Sequence, residues 1–104
     1  MTEATYLILL SLCEVRHGYS IMQHVSAMTH GRVNLGVGTL YGAINLLVEK
    51  KWIEAAGSDE RRKMYRITPE GEIALENEVQ RLAELLSLGK KCLTPLENRG
   101  KQPW

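Results

Sequence analysis

Gly38-Thr39-Leu40-Tyr41 opens a run that continues to about Lys51, in which Leu40, Ile44, Leu47 and Val48 recur at helical spacing. Thr39, Tyr41, Gly42 and Asn45 fall off that buried stripe and are expected on the outer side of the helix. Two short runs of strand character follow, Trp52-Ile53-Glu54-Ala55-Ala56 and Met64-Tyr65-Arg66-Ile67. Between them, Gly57-Ser58-Asp59-Glu60-Arg61-Arg62-Lys63 reads as a turn ending in three cations, so the segment is expected to be a hairpin. A helix with a small, polar, aromatic-bearing front end, followed at once by a hairpin with a cationic tip, suits a nucleic-acid duplex. The helix can enter a major groove while the tip reaches neighbouring phosphates.

Upstream, Thr2 to about Arg16 has a helical pattern, and nearly every position from Tyr6 to Cys13 is apolar. A helix apolar on most sides must be covered on most sides, which in so short a chain points to a partner subunit. His17-Gly18 is expected to break this helix at a tight corner, with glycine supplying the unusual backbone angles. A second helix, Tyr19 to about Met28, sets Ile21, Met22, Val25 and Met28 on one face. Thr29 to Asn34 reads as a loop, with Gly31 as a stop and Arg32 exposed. Two helices, a groove-sized third helix and a wing make a winged helix-turn-helix. The fold class expected is mainly α with a small β-hairpin.

Downstream, Thr68-Pro69-Glu70-Gly71 starts a long final helix: Thr68 can cap it, Pro69 suits its first position, and Glu70 and Glu72 suit its positive end. Leu75, Val79, Leu82, Leu86 and Leu93 recur at spacings of four and three, with Gly89 at the intervening seam position, and Ile73, Ala83 and Leu85 widen the stripe. Such a seam on a helix beyond a complete small domain needs another helix, either its own domain's or that of a second copy in a two-fold dimer. Residues 1–68 are therefore read as the winged-helix domain, 69–93 as a dimerisation helix and 94–104, with two prolines and no periodicity, as a flexible tail.

Composition narrows the function. The 104 residues are 44% hydrophobic and 24% charged, ordinary for one folded domain, and the formal net charge is +1. Distribution says more than the sum. From Thr29 to Arg66 seven basic residues (Arg32, Lys50, Lys51, Arg61, Arg62, Lys63, Arg66) face four acidic ones (Glu49, Glu54, Asp59, Glu60). Glu72, Glu76, Glu78 and Glu84 restore the balance at the far end, so the chain has a basic face able to orient on a polyanion. No run reaches the ~18 apolar residues of a membrane span. Cys13 and Cys92 lack a paired spacing, and their expected place is a reducing cytoplasm, with Cys13 buried on the first helix. His17, His24 and His30 have no zinc-holding pattern, and no nucleophile motif or phosphate loop is present, so neither a metal, a cofactor nor catalysis is expected.

Several of these stretches together resemble the PadR-like transcriptional regulators: Tyr6-Leu7-Ile8-Leu9, His17-Gly18-Tyr19-Ser20-Ile21, Gly38-Thr39-Leu40-Tyr41 followed by Leu47, and Lys63-Met64-Tyr65-Arg66-Ile67-Thr68-Pro69-Glu70-Gly71. They stand in the family's order and spacing over roughly residues 5–90. The resemblance implies a homodimeric repressor of the short branch, whose third helix reads double-stranded operator DNA and whose wing touches flanking backbone. It also implies that the last helix dimerises, partly against the partner's first helix. That assigns Leu7 and Leu10, with Leu75, Val79, Leu82, Leu86 and Leu93, to the interface. The chain departs from the family's pattern in two places. Lys51 stands where members often carry Gly, and no aromatic residue from Ile67 to Leu93 matches the drug-binding tryptophan of some short members.

Within that frame, Thr39 and Tyr41 are the leading DNA-contacting candidates, since a hydroxyl near a helix N-terminus can bond a phosphate oxygen. Gly36, Gly38 and Gly42 would allow close backbone approach, and Asn45 could read a base edge. Arg61, Arg62 and Lys63 would contact phosphates without reading sequence. Blander readings stand beside these: a Tyr41 ring tucked against the wing, a merely solvated Asn45 and a plain exposed turn. Two other functions compete with operator binding. One is a winged helix that holds another protein, and the other is a sensor of a small hydrophobic or phenolic effector in the dimer cleft.

Overall fold

The structure, a computed structural model, describes residues 1–93; the tail expected at 94–104, Trp104 included, lies outside them. The elements run α1 (Glu3–Ser11), β1 (Arg16–His17), α2 (Gly18–Met28), α3 (Val37–Glu49), β2 (Ile53–Asp59), β3 (Arg62–Ile67) and α4 (Pro69–Cys92). The strands form one antiparallel sheet in the order β1-β3-β2. The fold is α+β, a winged helix-turn-helix with a long last helix.

α1 ends five residues before the expected Arg16. Leu12 leaves the helix because its carbonyl accepts the Ile67 N–H at 2.9 Å, and Arg16 and His17 then pair with Tyr65 and Met64. The Arg16 Nε donates to the Ser11 carbonyl at 2.8 Å, satisfying one of the helix's free acceptors. The hairpin is thus a three-stranded sheet, and the third strand is two residues held by a partner some fifty positions away. Cys13, in the turn after α1, is exposed rather than buried in a helix. The domain itself covers most of α1. Ile8, Leu9 and Leu12 are fully buried with Ile21, Val25, Leu40 and Ile44, and Leu47 and Ile53 are nearly so. The apolar character of α1 therefore does not call for a second chain.

Both helix–loop junctions close by the same hydrogen-bond device. After α2, His30 takes a left-handed conformation (φ 53°), its N–H donating to Ala27 O while Gly31 N–H donates to Ser26 O. After α3, Lys51 does so (φ 63°), donating to Val48 O while Trp52 N–H donates to Leu47 O. The left-handed position falls on His30 as well as on Gly31 (φ 78°) and, after α3, on a lysine. Val48, expected in the buried stripe of α3, is 43% exposed.

The wing differs from the long-looped hairpin expected. β2 begins at Ile53, with Trp52 just before it, half-buried against the core beneath the Lys50 ammonium at 4.7 Å. Ser58 and Asp59 pair with Lys63 and Arg62, leaving a two-residue turn at Glu60-Arg61 with φ positive at both positions, as tight hairpins require. The register shifts between Ala55 and Ser58, where Gly57 (φ 85°) supplies the bulge. Glycine in the supposed loop is thus a bulge residue inside a strand.

α4 is anchored at its base. Thr68 Oγ1 accepts the Gly71 N–H at 3.0 Å and donates to the Lys51 carbonyl at 2.6 Å, while Thr68 N–H donates to Trp52 O at 2.9 Å. Leu75 and Glu78 are the last buried residues of the helix. Its 24 residues span about 36 Å. The radius of gyration is 17.6 Å, against about 13 Å for a compact chain of this length. The outer half of α4 accordingly stands away from the domain with Val79, Leu82, Leu85, Leu86, Leu88 and Leu93 exposed.

Candidate nucleic-acid interface

The outer face of α3 follows from what its inner face buries. Leu40, Ile44 and Leu47 are locked in the core, so the residues rotated away from them, Gly38, Thr39, Tyr41, Gly42 and Asn45, are exposed. A Cβ added at Gly36, Gly38 or Gly42 would meet nothing within 4 Å, so bare backbone faces outward. Gly36 caps α3 without a side-chain bond to the helix. The first N–H groups of α3 thus lack a capping side chain at the positive end of the helix dipole. Apart from the terminal Glu49, α3 carries no charged residue. Val37, 63% exposed, extends the uncharged face.

Arg61, Arg62 and Lys63 are all exposed at the wing tip. The other cations are partly spoken for: Arg66 pairs with Glu54 at 2.9 Å, and Arg32 pairs with Glu3. The basic field therefore concentrates at the wing tip and at Lys50 and Lys51. Although Asp59 lies opposite Arg62 in the hairpin, no ion pair joins them among the described residues.

Of the α3 face, Tyr41 lines an open cleft of about 430 Å³ together with His17 and the wing cations Arg61, Arg62 and Lys63, whereas Gly38, Thr39, Gly42 and Asn45 lie outside it. Tyr41 is 44% exposed, intermediate between a free side chain and one tucked away. Its hydroxyl lies over the start of α2, where a Cβ on Gly18 would stand 2.4 Å away. Glycine at 18 leaves room for this placement of the Tyr41 ring, and it does not form a left-handed corner. Tyr65, buried in β3, also lines the cleft. Burial first, then the nearby Tyr41 hydroxyl, raises its pKa above the ordinary tyrosine value, so it stays a neutral donor. His17 caps α2, its Nδ1 accepting the Ser20 N–H at 3.2 Å, while its Nε2 lies 3.1 Å from Arg62 Nη1. Sequence reasoning did not assign His17, Tyr65 or Val37 to this surface. The one available signal was His17-Gly18, the last residue of a strand too short to show a period and a glycine beneath a distant ring.

The expected interface leucines divide in two. Leu7 and Leu75 are already buried within the chain and Leu10 is half-buried, whereas Val79, Leu82, Leu86 and Leu93 are exposed. Among the described residues no group of three His, Cys, Asp or Glu side chains could hold a metal, and no helix is long and apolar enough to cross a membrane.

Residues 7–77 match the transcriptional regulator PadR-like family, a span from α1 into α4 that contains α3 and the whole wing. The chain belongs to this family. An uncharacterized protein from Lysinibacillus sphaericus is 36% identical over 74 residues, 67% of this chain and 68% of that protein. Among solved structures, a PadR family transcription regulator from hypervirulent Clostridium difficile R20291 superposes with a TM-score of 0.75 at 25% identity, covering 89% of this chain and 100% of the other. A transcriptional regulator from Clostridium thermocellum gives 0.74 at 24%, covering 88% and 93%. Membership makes the chain a transcriptional regulator by family.

Proposed function

We propose that this chain is a homodimeric repressor that binds a pseudo-palindromic operator, each protomer presenting α3 to a major groove and its wing to the flanking phosphates. The observation that carries this reading is the exposed, uncharged face of Gly38, Thr39, Tyr41, Gly42 and Asn45 beside the cations Arg61, Arg62 and Lys63. In this reading the α3 residues are for base edges and close backbone approach, and the wing supplies sequence-independent attraction. Residues 1–68 act as the DNA-binding unit and 69–93 as the dimerisation helix.

The exposed Val79, Leu82, Leu86 and Leu93 support the dimer, since an apolar stripe on a projecting helix is stable in water only when covered. Leu7 and Leu75 would lie behind that seam rather than in it. Two-fold symmetry sets half-sites about one helical turn apart, roughly 34 Å. The protein would act in the cytoplasm, and a small hydrophobic or phenolic effector would find its apolar surface along the same stripe.

The test uses genomic fragments recovered on the immobilised protein, then fluorescence anisotropy with the enriched duplex. Tyr41→Ala and Arg62→Ala should weaken binding while light scattering still reports a dimer. Wild-type affinity should fall steeply with salt as phosphate contacts release counterions. Salt-insensitive behaviour, or wild-type affinity in both variants, would overturn the reading and favour a winged helix that holds a protein.

A further inference from the structure

Hydrogen-bond donors from three elements converge in the cleft without an acceptor to serve them. Because His17 Nδ1 accepts the Ser20 N–H, the proton of the neutral ring sits on Nε2. That Nε2–H then faces Arg62 Nη1 at 3.1 Å, and a guanidinium has only donors to offer. Two N–H groups pointed at each other repel unless a shared acceptor lies beside them. Tyr65, 7% exposed, lines the same cleft, and its hydroxyl has no hydrogen-bond partner among the described residues. That hydroxyl is free to donate to an acceptor that enters the open cleft. The Tyr41 hydroxyl is likewise unpaired among the described residues, and no aspartate or glutamate lines the cleft. Lys63, its ammonium 5.9 Å from the centre of the Tyr65 ring, adds positive charge.

We infer that this cleft is a seat for a phosphate oxyanion, held by His17 Nε2–H, the Arg62 guanidinium and the hydroxyls of Tyr41 and Tyr65. A phosphate suits the site because it needs several donors, carries negative charge and has none of the donors that this cleft already holds in excess. The inference rests on the operator-binding reading only for the source of the phosphate. In that reading the seat takes one backbone phosphate where α2 meets the wing, and it positions α3 without reading sequence. The other source is a free phosphorylated small molecule.

Two arms, both on the full-length protein, distinguish these sources. Inorganic phosphate is titrated at constant ionic strength against chloride while the His17 ring nitrogens and the tyrosine side chains are followed by NMR. Saturable shifts at His17 and Tyr65 are expected with phosphate, absent with chloride alone and absent in Arg62→Gln. In the second arm, duplexes carry one neutral methylphosphonate at successive positions. His17→Asn keeps a capping side chain but removes the Nε2 donor, and Tyr65→Phe removes only a hydroxyl. Wild type should lose about tenfold in affinity at one position per half-site, the scale of a hydrogen bond to a charged group. Each variant should lose a similar factor on the ordinary duplex and nothing further at that position. A duplex bound with additive losses at every position, or a His17 ring indifferent to phosphate, overturns the seat. Phosphate-dependent shifts without duplex binding would keep the seat, assign it to a free phosphorylated ligand and remove the operator reading. No response in either arm would remove both.

Discussion

Gly71 and Gly89 lie on the same helix, and the same substitution should act on them with opposite sign. A Cβ at Gly71 would stand 2.0 Å from the Trp52 carbonyl oxygen and 2.8 Å from Ile67 Cγ1. The first obstacle is backbone and cannot swing aside, so the start of α4 would have to lift off the base of the wing by more than an ångström. Overpacking of this kind costs about 1–3 kcal/mol. Lifting also breaks the Thr68 N–H bond to Trp52 O, 2.9 Å long, for about 1 kcal/mol more. Alanine's better helix propensity returns about 1 kcal/mol. Gly71→Ala should therefore destabilise by about 2 kcal/mol net, which lowers Tm by about 10 °C in a domain of this size. At Gly89 the added Cβ meets nothing within 4 Å, so Gly89→Ala should leave Tm unchanged or raise it by a few degrees. Thermal unfolding followed by circular dichroism at one protein concentration checks both. A Gly71→Ala protein as stable as wild type would show that α4 does not dock on the Trp52 carbonyl, and the close packing of helix on wing would be wrong.

Three further outcomes are expected. Lys51→Gly should raise stability by up to about 1 kcal/mol, because the residue closing α3 sits at φ 63°; the urea midpoint reads it, and a fall would refute the strain. Glu78 is held below the ordinary carboxylate range by its two hydrogen bonds to Arg81, each 2.7 Å, which outweigh the opposing effect of burial. A depressed carboxylate contributes stability that is present above its unfolded pKa and is lost as pH falls through the folded one. The acid limb of a Tm–pH curve should thus be shallower in Glu78→Gln across that window, and identical limbs would show that the pair within α4 adds nothing to stability. In the proposed dimer Leu86→Arg places a charge on an exposed seam position, so sedimentation should show monomer at concentrations where the unsubstituted chain associates. A dimer that survives the substitution would move the interface elsewhere.

The helices were legible where they are long and periodic, and their ends were legible only where a local signal closes them. Thr68 and Pro69 announce α4 within a residue of where it starts, because capping is a contact between near neighbours. α1 carries no such stop. It ends because Leu12 and Arg16 find partners in β3, and a periodicity count has no access to a hydrogen bond from Ile67. The wing misread has the same origin. Gly57 and the cations look like loop by composition, yet the bulge at Gly57 lets Ser58, Asp59, Arg62 and Lys63 keep pairing to a two-residue turn. Of the candidate site, the α3 face and the three cations could be named from the sequence. His17 and Tyr65 could not, since each joins the cleft only through the sheet that brings residues 16–17 beside 64–65.

The order of the amphipathic segments, the glycine-rich front of α3, the cationic hairpin and the cap of α4 were set by residues close in sequence, and they sufficed for the fold class and the regulator family. Three things depended on contacts between distant residues: which side of α1 the chain itself covers, how tightly the wing turns, and whether His17, Tyr41, Arg62 and Tyr65 share one cleft. Local propensity acts over a helical turn or a strand pair, whereas burial and the sharing of donors and acceptors are settled only when the whole chain has packed.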